Sequence, residues 1–384
     1  MFDPAFISLL EASVGAERAA VVTEALAAPA SVSVRLNPAR LTACPFEGAQ
    51  RVPWNPYGYL LQERPVFTLD PLFHAGCYYV QDSSAMFVGH VFRSLMDQLP
   101  EGAAVLDLCA APGGKTTDLA ASLRERFGDR FSLLANEVMK SRYGALEANV
   151  AGWGDARVGT VSRDPSAFGG TPVFDLILTD VPCSGEGMFR KDPRAVAEWT
   201  PDLPAFCAAR SRRIIGDIWP TLKPGGILLY ATCTFNHLEN DDTVAWIAAE
   251  LGADVLPPVP FPPAVCTRYG WSLLPGFVPG EGQYVAALRK HGEAQAVRTA
   301  DPLNLFRATI PAASGSAAPA PLVNLDRATA LRYLHGDAIV LPPDAPKGPV
   351  TLAYEGHALG PGKNIGPRCN NLYPKSKRIR MDIA

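Results

Sequence analysis

From residue 104 to residue 232 the chain switches repeatedly between two periods, and this alternation limits its fold more than any other feature. Apolar runs at 104–109, 131–136, 158–161, 174–179 and 227–232 read as buried strands. Residues 115–126, 140–150 and 205–222 have the length and apolar spacing of helices. Strands alternating with helices predict an α/β chain built on a doubly wound parallel sheet. Such sheets bind ligands outside the carboxyl ends of their strands, so the turns that follow the strands are where chemistry belongs.

The rest of the chain reads as flanking modules. Residues 1–75 suggest a small α+β unit, with two helices over 4–26 and an alternating strand at 31–37 closed by Pro38. Residues 76–290 hold the alternating core, and 291–320, rich in Ala, Pro and Ser, read as a linker. A compact tail domain over 321–384 carries strand-like pieces at 338–341 and 350–354. From Lys347 onward its local charge balance is +5, against −3 for the whole chain of 384 residues. That is an electrostatic footprint for phosphates or a solvated tail. No apolar run approaches the ~18 residues of a membrane span, and Met1-Phe2-Asp3-Pro4 lacks the basic start of a signal peptide. A cytoplasmic protein is expected, with no membrane partner.

There are eight cysteines, but the closest pair in sequence, Cys183 and Cys207, is 24 residues apart. Without a Cys-x-x-Cys or a Cys/His cluster, neither a metal site nor a disulfide scaffold is expected. The six histidines are assigned no chemistry.

After the first strand comes Cys109-Ala110-Ala111-Pro112-Gly113-Gly114-Lys115-Thr116, a glycine turn that opens a helix. Glycines let the backbone approach a ligand, and a helix N-terminus favours negative charge. A dinucleotide would want Gly-x-Gly-x-x-Gly, which is absent. A nucleotide triphosphate would use Gly114-Lys115-Thr116, but Cys109 stands where that motif needs its first glycine. S-adenosylmethionine fits better: its carboxylate takes the helix end, Glu137 at the end of the second strand meets the ribose hydroxyls, and Asp164 after the third meets the adenine amino group. The Cys109 side chain itself reads as a packing residue.

Two further strand ends carry Thr179-Asp180-Val181-Pro182-Cys183-Ser184-Gly185-Glu186 and Tyr230-Ala231-Thr232-Cys233-Thr234. A cysteine taken at random is a buried packing residue, and Cys44, Cys77, Cys207, Cys266 and Cys369 are read so. Cys183 and Cys233 instead lie in polar turns. Paired thiols suit cytosine chemistry. Carbon 5 of cytosine becomes nucleophilic only when a thiolate adds to carbon 6, and the adduct must shed its carbon 5 proton before the thiolate leaves. One cysteine attacks, the other removes the proton or assists release, and Asp180 engages the ring nitrogen.

These segments resemble the Nop/Sun family of RNA cytosine-5 methyltransferases. The resemblance also covers Tyr78-Tyr79-Val80-Gln81-Asp82-Ser83-Ser84 and Pro279-Gly280-Glu281-Gly282-Gln283-Tyr284-Val285-Ala286. It implies a Rossmann-like methyltransferase core using S-adenosylmethionine. Cys233 would be the nucleophile and Cys183 the thiol needed for product release. Asp180 would lie at the base and cofactor, Glu137 and Asp164 on the cofactor, and Lys115 toward the methionine end or the target cytosine. In DNA cytosine-5 methyltransferases the attacking thiol is the Pro-Cys one, and their Glu-Asn-Val motif is broken here as Glu147-Ala148-Asn149-Val150. Ser33-Val34-Arg35-Leu36-Asn37-Pro38 is similar to the family's N-terminal strand. Leu359-Gly360-Pro361-Gly362-Lys363 and Asn370-Asn371-Leu372-Tyr373-Pro374-Lys375 resemble a PUA-like RNA-binding domain, which turns the basic tail toward RNA. The implied partner is small-subunit ribosomal RNA, free or in the assembled 30S subunit, acted on by a monomer. A transfer RNA methyltransferase, a P-loop-type nucleotide hydrolase and a non-catalytic ribosome-assembly factor are the alternatives.

Overall fold

A computed structural model describes residues 2–293, 300–311 and 320–383. Its central sheet has nine strands: β1 (Ala103–Asp107), β2 (Phe131–Asn136), β3 (Val158–Val161), β4 (Phe174–Asp180), β5 (Leu222–Thr232), β6 (Ala253–Leu256), β7 (Val265–Cys266), β8 (Trp271–Leu273) and β9 (Gln283–Lys290). The order is β7-β8-β9-β5-β4-β1-β2-β3, with β6 on β9. Strands β1 to β5 are parallel, as expected from the alternation. The sheet as a whole is mixed, because β9 runs antiparallel to β5 and β8 antiparallel to β9. A short return such as the one between β8 and β9 can join only antiparallel neighbours, since a parallel pair needs a crossover of a dozen or more residues.

Helices α1 (Gly114–Phe127) and α2 (Lys140–Trp153) cover one face, and α3 (Leu203–Ile218) and α4 (Asp241–Leu251) the other. The strands serve both faces by simple alternation. Val105, Leu133, Leu176, Leu178 and Leu229 join the core under α1 and α2, while Leu106, Leu134, Ile177, Leu228 and Tyr230 join the core under α3 and α4. Strand order reverses between β1 and β4, so the crevice at their carboxyl ends is a topological switch point.

The N-terminal helices Pro4–Val14 and Ala16–Leu26 begin with an Asp3 cap on the Ala5 N–H and pack behind the turns that follow β4 and β5. Phe6 sits 5.0 Å from Phe189 and edge-on to Trp199, in a cluster that includes Phe235. Val32–Leu36 pairs antiparallel with Gly58–Leu61 and with Tyr78–Val80. This N-terminal sheet shares one apolar core with the C-terminal sheet of Leu322–Leu325, Gly348–Tyr354, His357–Asn364 and Cys369–Asn371.

Two expectations need correcting. Residues 338–341 form no strand, only an Ile339–Cys369 bridge, because the prolines that follow at 342 and 343 lack ladder donors. Within the expected linker, residues 300–311 pack on the core: Leu303 and Phe306 are buried, and Thr309 bridges to Thr160 at the edge of β3. The remaining linker residues 294–299 and 312–319 lie outside the described ones. Among the described residues, no helix is long and apolar enough to cross a membrane, and no His/Cys/Asp/Glu group is arranged to hold a metal ion.

Candidate active site

The turn after β1 folds back so that Gly113, in the left-handed region at φ 109°, starts α1 with no side-chain cap. The first-turn N–H groups of a helix have no intrahelical partner, so this end is an open set of donors. The turn's carbonyls, by contrast, are taken. Arg142 donates to Ala111 O (2.6 Å), Asn149 to Pro112 O (2.8 Å), Thr117 to Gly113 O (2.9 Å) and the buried Arg35 to Gly114 O (3.0 Å). Ala110 and Ala111 are buried, and burial pushes the Cys109 thiol well up, which suits a packing residue.

Glu137, closing β2, is 3% exposed; its Oε1 accepts the Met139 N–H. Its Oε2 is buried without a hydrogen bond, 3.5 Å from Arg142. An orphaned carboxylate oxygen beside an uncapped helix end fits a ligand that brings hydroxyl donors and a carboxylate. Asp164 is exposed and already accepts from the Ser166 N–H and hydroxyl, bonds that hold its carboxyl below the usual range. It stands on the far side of β2 from the thiols. Asp107, an acid not expected in the site, ends β1 fully buried; burial raises its carboxyl to about 7, partly offset by the Thr116 hydroxyl at 2.6 Å.

Strands β4 and β5 are adjacent and in register, with Asp180 opposite Ala231. The turns that follow them therefore meet. The Cys183 and Cys233 sulfurs lie 3.2 Å apart, both reduced. The contact with Cys233, then burial, drives the Cys183 thiol well above its ordinary value. Lys115, in the first turn of α1, reaches across to Asp180 with Nζ 2.7 Å from Oδ2. Burial opposes the Lys115 charge, but Asp180, and less strongly the Cys233 sulfur, outweigh it and raise the ammonium. Four of the expected residues, Lys115, Asp180, Cys183 and Cys233, thus converge on one crevice.

Several residues that hold this crevice were not anticipated. Asn240 accepts from the Thr232 hydroxyl and donates to Thr234 O, closing the Cys233 turn, while Gln283 of β9 donates to Thr232 O at 2.6 Å. Glu186, 1% exposed, accepts the N–H groups of Phe235 and Asn236. Glu239, fully buried, accepts the Ser184 N–H. The one hint in the sequence is how many polar residues follow β5 (Thr234, Asn236, Glu239, Asn240), but a linear reading does not say which of them turn inward.

Comparison with known proteins agrees with this geometry. Residues 95–289 match the profile described as 16S rRNA methyltransferase RsmB/F. Residues 2–83 match the N-terminal domain of 16S rRNA methyltransferase RsmF, and residues 320–379 the methyltransferase RsmF PUA domain. A ribosomal RNA small subunit methyltransferase F from Salmonella paratyphi A is 39% identical over 226 residues, covering 56% of this chain and 45% of that protein. The chain thus spans less than half the length of the curated relatives it matches. Among solved structures, a methyltransferase homolog protein from Pyrococcus horikoshii superposes with a TM-score of 0.59 at 25% identity, over 75% of this chain and 99% of that one. NSun6 from Pyrococcus horikoshii with SFG gives 0.62 at 18%, over 76% and 99%, which speaks to the fold.

Proposed function

The chain belongs to the 16S rRNA methyltransferase RsmB/F family, and we propose that it methylates carbon 5 of a cytosine in small-subunit ribosomal RNA through a covalent cysteine–carbon 6 adduct. One observation carries this reading: two reduced thiols 3.2 Å apart at adjacent strand ends, beside the Lys115–Asp180 pair. A single thiol would serve many reactions; two facing one crevice match a reaction that must both make and break a carbon–sulfur bond.

S-adenosylmethionine supplies an electrophilic methyl group when bound, and the open N-terminus of α1, Glu137, Asp164 and the 109–115 turn are the groups to hold it. Cys233 as thiolate adds to carbon 6, and its electron pair enters the ring as the carbon 5–carbon 6 double bond opens. Asp180 meets the ring nitrogen where that density collects, and the Lys115 ammonium, 2.7 Å from Asp180, supplies through it the proton that balances the charge. After methylation, Cys183 as thiolate takes the carbon 5 proton, the electrons of that C–H bond reform the double bond, and Cys233 leaves as thiolate.

Cys183 suits the second half. Its largest elevating influence is the Cys233 sulfur, and that influence weakens once Cys233 is bound to carbon. The Cys183 proton is then easier to lose, at the stage when a base is needed. The target base must leave its stack, at a cost of a few kcal/mol. The basic C-terminal module and the N-terminal sheet would offset this through phosphate contacts.

The test is a pair of variants given in vitro transcribed 16S rRNA or isolated 30S subunits. Cys183→Ala should accumulate a denaturant-stable protein–RNA adduct, and Cys233→Ala should form none and transfer no methyl group. Identical behaviour of the two would overturn the roles. Methylation of transfer RNA alone, or no methylation of any RNA, would overturn the substrate.

A further inference from the structure

The two cysteine turns are held together by an exchange of buried carboxylates. Glu186 lies on the Cys183 turn and accepts N–H groups from the Cys233 turn: Phe235 at 2.8 Å and Asn236 at 3.2 Å. Glu239 lies beyond the Cys233 turn and accepts from the Cys183 turn: the Ser184 N–H at 2.9 Å and, through a short bond, the Ser184 hydroxyl. The Asn236 side-chain amide sits between them, 2.8 Å from Oε1 of each, and its carbonyl accepts the Glu239 N–H. The Trp199 indole points at Glu186 from 3.4 Å. Ser184 and Thr234 hydroxyls meet at 2.9 Å, and the Gly187 N–H binds Cys233 O.

Two features separate this clasp from ordinary turn packing. Both acids are essentially inaccessible, 1% and 0% exposed, and no lysine, arginine or histidine pairs with either among the described residues. Burying two carboxylates without a cation is costly unless their oxygens are fully bonded, and here backbone donors of the opposite turn do the bonding. The donors are also the residues adjoining the thiols: Ser184 follows Cys183 directly, and Phe235 and Asn236 stand just beyond Cys233. The clasp thus joins the two backbone segments that carry the sulfurs.

We propose that Glu186 and Glu239 are positioning residues that hold the Cys183 sulfur against that of Cys233, and so govern release of the methylated product more than attack on the base. The proposal rests on the reading of the two thiols given above. Cys233 is independently anchored by Gln283 and Asn240 from its own side of the sheet. Cys183 follows Pro182 in a turn whose side-chain bonds to the neighbouring turn run through Ser184 and Glu186, beside the one backbone bond from Gly187 N–H to Cys233 O. Loosening the clasp therefore displaces Cys183 first.

Glu239→Gln is the sharpest probe. Each carboxylate oxygen of Glu239 accepts, Oε2 from the Ser184 N–H and Oε1 from Asn236 and the Ser184 hydroxyl. An amide must turn its NH2 toward one of these donors, whichever way it is placed. The variant keeps size and shape but breaks the clasp. With in vitro transcribed 16S rRNA at pH 8, above the raised titration of Glu239 so that both oxygens accept, adduct formation should stay within about threefold of wild type while the adduct becomes roughly 10- to 100-fold longer-lived, as for other misplacements near an ångström. Ser184→Ala, which removes the hydroxyl and leaves the backbone N–H, should lie between the two, and it keeps the test open should Glu239→Gln fail to fold.

A second readout needs no RNA. Phenylarsine oxide condenses with two thiols, releasing water, only when both sulfurs reach one arsenic. Wild-type protein should bind it at this pair, Cys183→Ala should not, and Glu239→Gln or Ser184→Ala should bind it more weakly. Unchanged arsenical binding together with an unchanged adduct lifetime would overturn the proposal, as would equal slowing of adduct formation and resolution. Absence of an adduct in Cys183→Ala would instead overturn the catalytic roles, and the arsenical result would still decide the clasp.

Discussion

The turn after β1 and the turns after β4 and β5 sit at neighbouring strand ends, yet they are built with opposite polarity. Around the first, donors from Arg35, Arg142, Asn149 and Thr117 consume the backbone carbonyls, and the N–H groups opening α1 are left free. Around the others, Glu186 and Glu239 consume backbone N–H groups. A turn with spare donors is prepared for an anionic ligand group. Turns whose Ser184, Phe235 and Asn236 donors are spent internally keep those groups from a ligand, and the added rigidity serves the side chains they carry. One region is built to receive, the other to hold still.

Lys115 belongs to both regions, since it grows from the first turn of α1 and its amine rests on Asp180. Replacing it by Met should therefore damage the two together. Removal of a positioned charge of this kind lowers turnover by about 10²- to 10³-fold. Adduct formation and methyl transfer should fall in step, measured by denaturing gel and by labelled methyl incorporation. A loss confined to donor affinity, corrected by saturating S-adenosylmethionine, would show that Lys115 serves the receiving turn alone.

That difference in polarity also separates what was readable in the chain from what was not. The parallel strands, their helices and the cysteines at their ends follow from local period and flanking residues, because each is a short-range property. Convergence of Cys183 and Cys233 was inferable, since consecutive parallel strands tend to be neighbours. The reversal at β9 escaped because its stretch Tyr284–Leu288 is apolar throughout and feeds the cores on both faces of the sheet by alternation, as a buried parallel strand does. Arg142, Asn149, Glu186 and Glu239 escaped for a different reason. Each acts on a backbone group distant in sequence, and its residue type alone reads as solvated helix or loop. Asp107 escaped because a strand-end acid next to a glycine turn looks like an ordinary cap.

Glu239 offers a second way to sharpen the contrast, through pH. Burial raises its carboxyl to about 7 from 4.5. A carboxyl raised in the folded state binds more protons folded than unfolded across that window, so stability is fullest below about pH 4.5 and declines as pH rises toward 7. The ceiling on this one contribution is about 3 kcal/mol. In Glu239→Gln the decline should be shallower than in wild type, whatever the variant's absolute stability, when denaturant midpoints are compared from pH 5 to pH 7.5. Asp107, also raised to about 7, supplies a matching decline in the receiving turn that Asp107→Asn should remove. Parallel curves for wild type and Glu239→Gln would mean that the clasp carries no titrating proton.

The smallest expected effect is the most selective. Arg142 donates to Ala111 O at 2.6 Å and stands 3.5 Å from the orphaned Glu137 oxygen, while its own side chain is 46% exposed. A hydrogen bond at a half-exposed site is worth about 1 kcal/mol, or roughly a fivefold change in an equilibrium constant. Arg142→Ala should thus weaken S-adenosylmethionine binding by about that factor, read by calorimetry without RNA, through a loosened 109–115 turn. The thiol turns lie across β1 and β4 from Arg142, so adduct resolution and arsenical binding should keep their wild-type values. If Arg142→Ala changed the thiol readouts as much as donor binding, the two regions would be one mechanical unit, and the division between a receiving turn and a rigid pair of turns would fail.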